Sequence, residues 1–332
     1  MTRLAARAAA VPVLLALLAT SACSSSGGGP SAPATAAAAV PSSGPVVTPS
    51  RSTAPPAGAS SPTPPAAPVE LPRGGRTIFP RHEVVAYYGA EGTGRLGILG
   101  RTSPAAAAAA LEKRAAPYAR VSGRKVLPAL ELITTVAQGS AGDDGTYSHG
   151  ISDASVQRYL TAARKARMLL LLDLQPGRAD FLDQARHYEK FLRQPEVGLA
   201  LDPEWKLQPG QRPGERVGYT TTRKIDEVAR YLAALVDHGR LPQKLFVVHQ
   251  FQEQSVRPAN ERITTRPQLA TVVHVDGFGS QRLKKQTYHA ISLKSGAVRN
   301  GFKLFTNGQD TGVFRPEQVM RLRPRPDLVT YQ

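Results

Sequence analysis

The 332-residue chain has a single cysteine, Cys23, so no disulfide can form within one molecule. Aromatic residues make up only 6% of the sequence, and the apolar stretch Val11–Ala19 is too short to span a bilayer as a stable helix. Acidic residues are also scarce, because 25 Asp and Glu stand against 42 Lys and Arg, a formal net charge of +17. The folded part must therefore be stable through its core alone, and its basic surface favours anionic partners.

Several sequence signatures of other protein classes are missing. No basic run is interleaved with aromatics and no nucleic-acid module is recognisable, so no nucleic-acid partner is expected. No Gly-x-Ser-x-Gly occurs, and the adjacent Ser148 and His149 do not have triad geometry, which argues against serine-nucleophile catalysis. No His-x-His, His-Glu-x-x-His or paired-cysteine spacing indicates zinc, and the sequence predicts no cofactor.

The first 22 residues have the features of an export signal. Arg3 and Arg7 precede the apolar stretch Val11–Ala19, and small residues lead up to Cys23. This segment resembles a bacterial lipobox, which implies that Cys23 is diacylated and becomes the mature N-terminus. Two acyl chains suffice for durable membrane anchoring. The alternative is an ordinary secretory signal cut after Ala22, with Cys23 incidental.

A low-complexity segment follows the predicted signal. From Ser24 to Pro72 the chain is dominated by Ser, Gly, Pro, Ala and Thr, with Arg51 and Glu70 as its only charges. Such a segment buries too little apolar surface to offset the entropy of ordering. We therefore divide the chain into a signal peptide (1–22), a lipidated cysteine with a disordered linker (23–72) and a folded domain (73–332). The expected location is the extracytoplasmic face of the cell membrane, where the lipidated N-terminus holds the protein.

The folded domain alternates apolar, β-branched runs with helical patterns, which predicts parallel βαβ units. Eight strands in about 260 residues fit an α/β fold of the (β/α)8 TIM-barrel type better than an open sheet. The predicted strands are Glu83–Tyr88, Lys125–Val136, Met168–Gln175, Val197–Glu204, Lys244–Phe251, Leu269–Asp276, Gly301–Thr306 and Asp327–Gln332. The predicted helices are Ser103–Ala116, Asp153–Ala166, Ala179–Arg193, Thr222–His238, Gln281–Ser292 and Pro316–Arg321.

Acidic residues stand where the predicted strands end, which is where barrels of this kind carry their active sites. Side chains alternate across a strand, so Asp202 and Glu204 should share one face of strand four. Pointing outward they would lie in the helix layer, where unpaired carboxylates cost several kcal/mol. We therefore expect Asp173, Asp202, Glu204 and Asp276 to converge on one solvent-filled mouth. Further candidates for substrate binding are Trp205, Tyr87, Tyr88, Gln175, His249, Gln250, Glu131 and Asn307.

The segment from Asp202 through Pro203 and Glu204 to Trp205 resembles the strand-four end of chitinase-type barrel glycoside hydrolases. The resemblance implies that Glu204 is the proton donor and that Asp202 assists it. Asp276 or Asp173 would then be the nucleophile or base. The two further acids of the family pattern are absent, so substrate-assisted chemistry is not implied. The expected function is a surface-tethered hydrolase of a glycan or cell-envelope polymer.

Two alternatives remain open at this point. One is a hydrolase or phosphodiesterase that depends on a divalent metal, since hard oxygen ligands suit Mg²⁺ or Ca²⁺. Its ligands would be Glu131, Asp173, Asp202, Glu204 and Asp276. The other is a non-catalytic barrel lipoprotein that binds an anionic envelope polymer through its arginines.

Overall fold

The computed structural model describes residues 68–258, 263–294 and 296–332. The predicted signal, Cys23 and most of the predicted linker lie outside these residues. Leu71, near the end of the segment expected to be linker, is buried and packs with the lower barrel interior. In the described part of the chain, no helix combines the length and hydropathy needed to cross a membrane.

Within the described ranges, eight parallel strands close into a barrel, as the sequence predicts. Strand order around the barrel follows the chain, and the barrel closes because the first strand pairs with both the second and the eighth. The strands are β1 (His82–Gly89), β2 (Lys125–Ala137), β3 (Leu169–Leu174), β4 (Val197–Leu201), β5 (Lys244–Gln250), β6 (Leu269–Val275), β7 (Arg299–Leu304) and β8 (Leu328–Tyr331). Helices lie between the strands, so the fold is a (β/α)8 TIM barrel.

The helices begin where the sequence places capping residues. The hydroxyl groups of Ser103, Ser152 and Ser280 each accept a bond from the backbone N–H three residues on. The described part of the β5 to β6 connection contains a 3-10 turn at Glu253–Ser255 rather than an α-helix. The α-helices are α1 (Pro104–Ser122), α2 (Asp153–Ala166), α3 (Phe181–His187), α4 (Glu189–Leu192), α5 (Thr222–Gly239), α6 (Gln281–Ile291) and α7 (Pro316–Met320).

Two predicted helices have different bounds in the structure. Helix α1 continues past Pro117 to Ser122, where the fully buried ring of Tyr118 packs its last turn against the core. The helix predicted over Ala179–Arg193 is instead two short helices that meet at Tyr188. In both cases tertiary packing of a tyrosine overrides the local pattern.

The prediction that β4 continues to Glu204 was wrong. The strand ends at Leu201, and Pro203–Trp205 forms a 3-10 turn. Proline lacks the N–H that a central strand needs, whereas its fixed φ suits the first position of a helical turn. Glu204 therefore stands on a turn above the barrel and does not share a strand face with Asp202.

The barrel interior is apolar at its lower end and polar at its upper end. Apolar side chains from the strands fill the lower interior, while a second cluster lies between the strands and the helices. Because side chains alternate along a strand, the next inward positions lie two residues further toward the carboxyl ends. The residues at those positions are Tyr88, Glu131, Asp173, Asp202, His249, His274, Lys303 and Thr330, all of them buried.

A separate charged group lies at the opposite end of the barrel. Glu83 on β1 is fully buried; its Oε2 accepts a bond of 3.4 Å from Nη2 of Arg325 and lies 3.8 Å from Nη2 of Arg124. Asp327 is close by and pairs with Arg124 at 2.5 Å. Burial outweighs the attraction of the arginines and raises the pKa of Glu83 to about 7.

This pKa predicts a pH dependence of stability. Between pH 4.5 and about 7 the folded protein keeps the Glu83 proton that the unfolded chain has lost. The free energy of unfolding therefore falls by up to about 3 kcal/mol as the pH rises through this window. Glu83→Gln carries no such proton, so its Tm relative to the parent should be higher at pH 8 than at pH 5. Calorimetry at both pH values measures this; equal differences would contradict it.

Candidate functional site

The structure brings the carboxyl groups of Glu131, Asp173, Asp202 and Asp276 together at the upper end of the barrel. Each lies at or just beyond the carboxyl end of a strand, and each residue is only 0 to 3% exposed. The expectation of a solvent-filled mouth is therefore wrong for Asp173, Asp202 and Asp276. An eight-stranded barrel has an interior just wide enough for its own side chains, so they fill this level.

His249 on β5 lies at the centre of these acids. Its Nδ1 donates to Oδ2 of Asp276 at 2.9 Å, and its Nε2 donates to Oε1 of Glu131 at 3.0 Å. Burial lowers the pKa of His249, but the two carboxylates outweigh burial and hold that pKa well above its usual range. The same contacts lower the pKa of Glu131 and of Asp276 against the effect of burial. The imidazolium and the two carboxylates thus stabilise one another.

A second buried cation, Lys303 on β7, was not among the predicted site residues. Its Nζ lies 3.4 Å from Oδ2 of Asp276 and 3.7 Å from the centre of the Tyr88 ring. The carboxylates around it raise the pKa of Lys303 although burial lowers it. A signal was present in the sequence, because a lysine inside a buried apolar strand needs an acidic partner.

Asp173 is hydrogen-bonded to Tyr88, which is in turn hydrogen-bonded to Gln175. The Tyr88 hydroxyl donates to Oδ2 of Asp173 at 2.8 Å, and Nε2 of Gln175 donates to that hydroxyl at 3.3 Å. Oδ1 of Asp173 has no hydrogen-bond partner, and burial raises the pKa of Asp173 to about 6. Tyr88 is only 2% exposed and is a buried hydrogen-bond donor to Asp173.

Asp202 and Glu204 lie between this interior and the surface. Burial, followed by the charge of Asp173, raises the pKa of Asp202 well above its usual range. Glu204 is half-buried, and burial together with Asp202 and Asp276 raises its pKa in the same way. These surroundings favour the protonated form of Glu204, which keeps contact with solvent.

His274 on β6 is a further component that the predicted site omitted. Its ring centre lies 5.0 Å from that of His249, and neither of its ring nitrogens has a hydrogen-bond partner. Burial, followed by the charge of His249, lowers the pKa of His274 to about 3. The ring fits because residue 301 is glycine: a Cβ there would lie 2.3 Å from Cδ2 of His274.

One set of three residues at this level has the composition of a metal site. Potential ligand atoms of His249, His274 and Asp276 lie within 4.8 Å of one another, and all three residues are buried. The other carboxylates, Asp173 and Asp202, each present one unpartnered oxygen in the same interior.

Three of the predicted binding residues are not part of this group. Tyr87 faces the helix layer and packs edge-on against Tyr331, with ring centres 6.4 Å apart. Gln250 bonds to a backbone carbonyl of the following turn, and Asn307 lies exposed in the loop after β7. Alternation along the strands explains Tyr87 and Gln250, since each neighbours an inward-facing residue. Trp205 lies beside Glu204 and is partly exposed.

Three phenylalanines beyond β5, β6 and β7 form an aromatic arc that the sequence analysis missed. The ring centre of Phe278 lies 5.8 Å from that of Phe251 and 5.9 Å from that of Phe305. Phe278 is 38% exposed, so the arc offers an apolar surface at the same end of the barrel as the acids. Spacing along the chain gave no sign of it, because each ring comes from a different strand.

Lys284 on α6 binds the backbone at the upper ends of β6 and β7, close to Asp276 and Lys303. Its buried Nζ donates to the carbonyl of Gly277 at 2.7 Å and to the carbonyl of Lys303 at 2.8 Å. It also pairs with Asp310 at 3.0 Å, and Asp310 accepts bonds from the backbone of Gly279 and Phe305. The upper ends of β6 and β7 are thus held rigidly behind the site.

No protein-family model matches the chain, and no curated protein is significantly similar to it. Among solved structures it is similar to tryptophan synthase from M. tuberculosis in the aminoacrylate- and BRD0059-bound form. The two share 14% identity with a TM-score of 0.33, over 76% of this chain and 82% of that one. A similarity of this size carries no information about activity, so the fold assignment rests on the strand order itself.

Because Gly301 lies against the His274 ring, we expect an alanine at this position to destabilise the fold more than an alanine at a glycine in open space. Gly301→Ala should lower the free energy of unfolding by about 1 to 3 kcal/mol, because the new methyl group forces the buried imidazole to move. Gly139→Ala is the matched control, since a Cβ there meets nothing within 4 Å, and it should change stability by less than about 0.5 kcal/mol. Urea unfolding measures both; equal effects would show that His274 is not confined.

Proposed function

We propose that this chain is a hydrolase that cleaves glycosidic bonds in a glycan or cell-envelope polymer, with Glu204 as general acid. The observation that carries the proposal is the meeting of five carboxyl groups, two histidines and a lysine at the carboxyl ends of the strands. In TIM barrels this end carries the active site. Groups whose pKa values are pushed apart by their surroundings are typical of acid–base catalysis.

Glu204 has the properties that a proton donor needs. It is the acid of this group with the most solvent contact, so a leaving-group oxygen can reach it from outside. The raised pKa favours the protonated carboxyl, which is the form that a general acid needs. The sequence from Asp202 to Trp205, with its resemblance to chitinase-type barrel enzymes, supports the same role.

Asp173 is the better candidate for the nucleophile or base. Asp276 accepts a bond from His249 and lies beside Lys303, so its charge is already compensated. Oδ2 of Asp173 accepts a bond from the Tyr88 hydroxyl, whereas Oδ1 has no hydrogen-bond partner among the described residues and lies 3.9 Å from Nε2 of His249. Because Asp173 is buried, substrate must displace side chains around Glu204 to reach it.

Two aromatic groups at this end of the barrel suit a sugar substrate. Trp205 is partly exposed beside Glu204, and Phe278 is the exposed member of the aromatic arc. Flat apolar rings with exposed faces can stack against the C–H face of a sugar ring while nearby polar groups orient it.

We also propose that the enzyme works at the outer face of the cell membrane, held by lipid on Cys23. The support is the sequence around Cys23: a basic start, a short apolar stretch and small residues before the only thiol in the chain. The low-complexity segment behind it would let the barrel reach substrate away from the bilayer.

Glu204→Gln should lower the hydrolysis of natural glycans by a factor of about 100 or more, because the leaving group is no longer protonated. A glycan-library screen of the full chain, followed by rates on the best substrate, measures this. On an aryl glycoside whose leaving group needs no proton, the variant should keep most of the parent rate. Glu253→Gln is the control, because Glu253 is exposed at the same end of the barrel.

Equal rates for parent and Glu204→Gln on natural glycans would remove Glu204 from the mechanism. A parent that hydrolyses no glycan in the library would overturn the proposed reaction. Equal losses on both substrate types would show that the variant damages the fold rather than proton donation.

Growth with an alkyne analogue of palmitate should label the parent chain and leave Cys23→Ser unlabelled, because no other thiol is present. Fractionation should place the parent with the membrane, and Ser26→Ala should behave like the parent. An unlabelled parent found in the medium would instead support the ordinary secretory signal cut after Ala22.

A further inference from the structure

His274 and Asp276 carry buried polar atoms without a hydrogen-bond partner in the described part of the chain. Among the described residues, no hydrogen-bond partner is present for either ring nitrogen of His274 or for Oδ1 of Asp276, although His274 is fully buried and Asp276 is 3% exposed. A buried polar atom without a partner costs about 1 to 3 kcal/mol in each case. Such a cost concentrated at one place indicates that a ligand satisfies these atoms.

The spacing of these atoms suits a metal ion. The ligand atoms of His249, His274 and Asp276 lie within 4.8 Å of one another. Ligand atoms bound at about 2.1 Å in a tetrahedral arrangement are about 3.4 Å apart. The widest separation in the set would therefore have to contract by about 1.4 Å or less, which small rotations of the side chains can supply. Two imidazoles and one carboxylate suit a divalent transition metal better than Mg²⁺ or Ca²⁺, which prefer oxygen ligands throughout.

The surroundings of His249 match those of a metal-binding histidine. Such a histidine usually donates its second ring N–H to a carboxylate, which fixes the ring orientation. Nε2 of His249 donates to Glu131 at 3.0 Å, and the other oxygen of Glu131 accepts a bond of 3.1 Å from the Thr330 hydroxyl. Nδ1 is then the nitrogen that would bind an ion, in place of its bond to Oδ2 of Asp276.

The charges of the group also leave room for an ion. Four buried carboxyl groups, those of Glu131, Asp173, Asp202 and Asp276, share one level of the barrel with the side chains of Lys303 and His249. Lys303 lies 3.4 Å from Oδ2 of Asp276, so Oδ1, which has no partner among the described residues, is the oxygen free to bind metal. An ion at His249 would displace the proton on Nδ1 to solvent, and its positive charge would replace that of the imidazolium beside Glu131 and Asp276.

We propose that His249, His274 and Asp276 bind one divalent transition-metal ion, and that Glu131 orients His249 for it. This site goes beyond the proposed glycan hydrolysis and does not depend on which substrate is cleaved. Glu204 and Asp173 are not among its ligands, so the failure of one proposal leaves the other open to its own test.

Zn²⁺ is the probe, titrated by calorimetry into the full chain carrying Cys23→Ser, which removes the only thiol. We expect one Zn²⁺ per chain, not displaced by equal Mg²⁺. His274→Ala should lose this binding, whereas His238→Ala, an exposed histidine on α5, should keep it. Glu131→Gln should weaken binding by a factor of 10 to 100, as expected for a residue that orients a ligand.

X-ray absorption at the zinc edge of the parent gives a readout that needs no variant. Scattering from two imidazole rings and one oxygen ligand is the expected result. Absence of stoichiometric binding in the parent, a shell with one imidazole or none, or equal affinity of His274→Ala and His238→Ala would each overturn the proposal. Melting curves by circular dichroism show whether any variant has lost its fold, in which case the absorption spectrum of the parent decides.

Discussion

The hydrogen-bonded chain from Glu131 through His249 to Asp276 is the interaction on which the rest of the upper barrel depends. An ionised carboxylate that is buried without a partner costs several kcal/mol. This interior holds four buried carboxyl groups, so it needs buried cations as partners. His249 uses both ring nitrogens to compensate two carboxylates, and Lys303 adds a second positive charge to Asp276. Asp173 and Asp202 lie further from these cations, with His249 Nε2 3.9 Å from Oδ1 of Asp173, and burial together with neighbouring acids outweighs the attraction and raises their pKa values.

The lower barrel makes this arrangement possible by being apolar and closely packed. Small residues decide how the side chains fit: Gly301 leaves room for the His274 ring, and a Cβ on Gly198 would lie 2.5 Å from the carbonyl oxygen of Leu245. A closed sheet with such contacts cannot shift its register without moving every inward side chain to the helix layer. The polar level is therefore held in place by apolar packing beneath it.

Apolar runs of strand length that alternate with helical patterns were enough to predict the barrel, because both patterns reflect local rules. The acids at the strand ends were predicted for the same reason. Lys303 and His274 were missed because their significance comes from neighbours on other strands, namely Asp276 and His249. Tyr87 and Tyr88 looked alike in the sequence, yet alternation directs one to the helix layer and the other to Asp173.

The position of Glu204 follows from a backbone constraint rather than from a side-chain contact. Pro203 ends β4 and starts a turn, which lifts Glu204 from the strand face to the rim while Asp202 stays inside. The turn thereby separates two kinds of acid: the buried ones that share charge with His249 and Lys303, and Glu204, whose protonated form is favoured near solvent. The proposed proton donor and the proposed metal ion would therefore use different residues of the same barrel, one on the turn at the rim and the others inside.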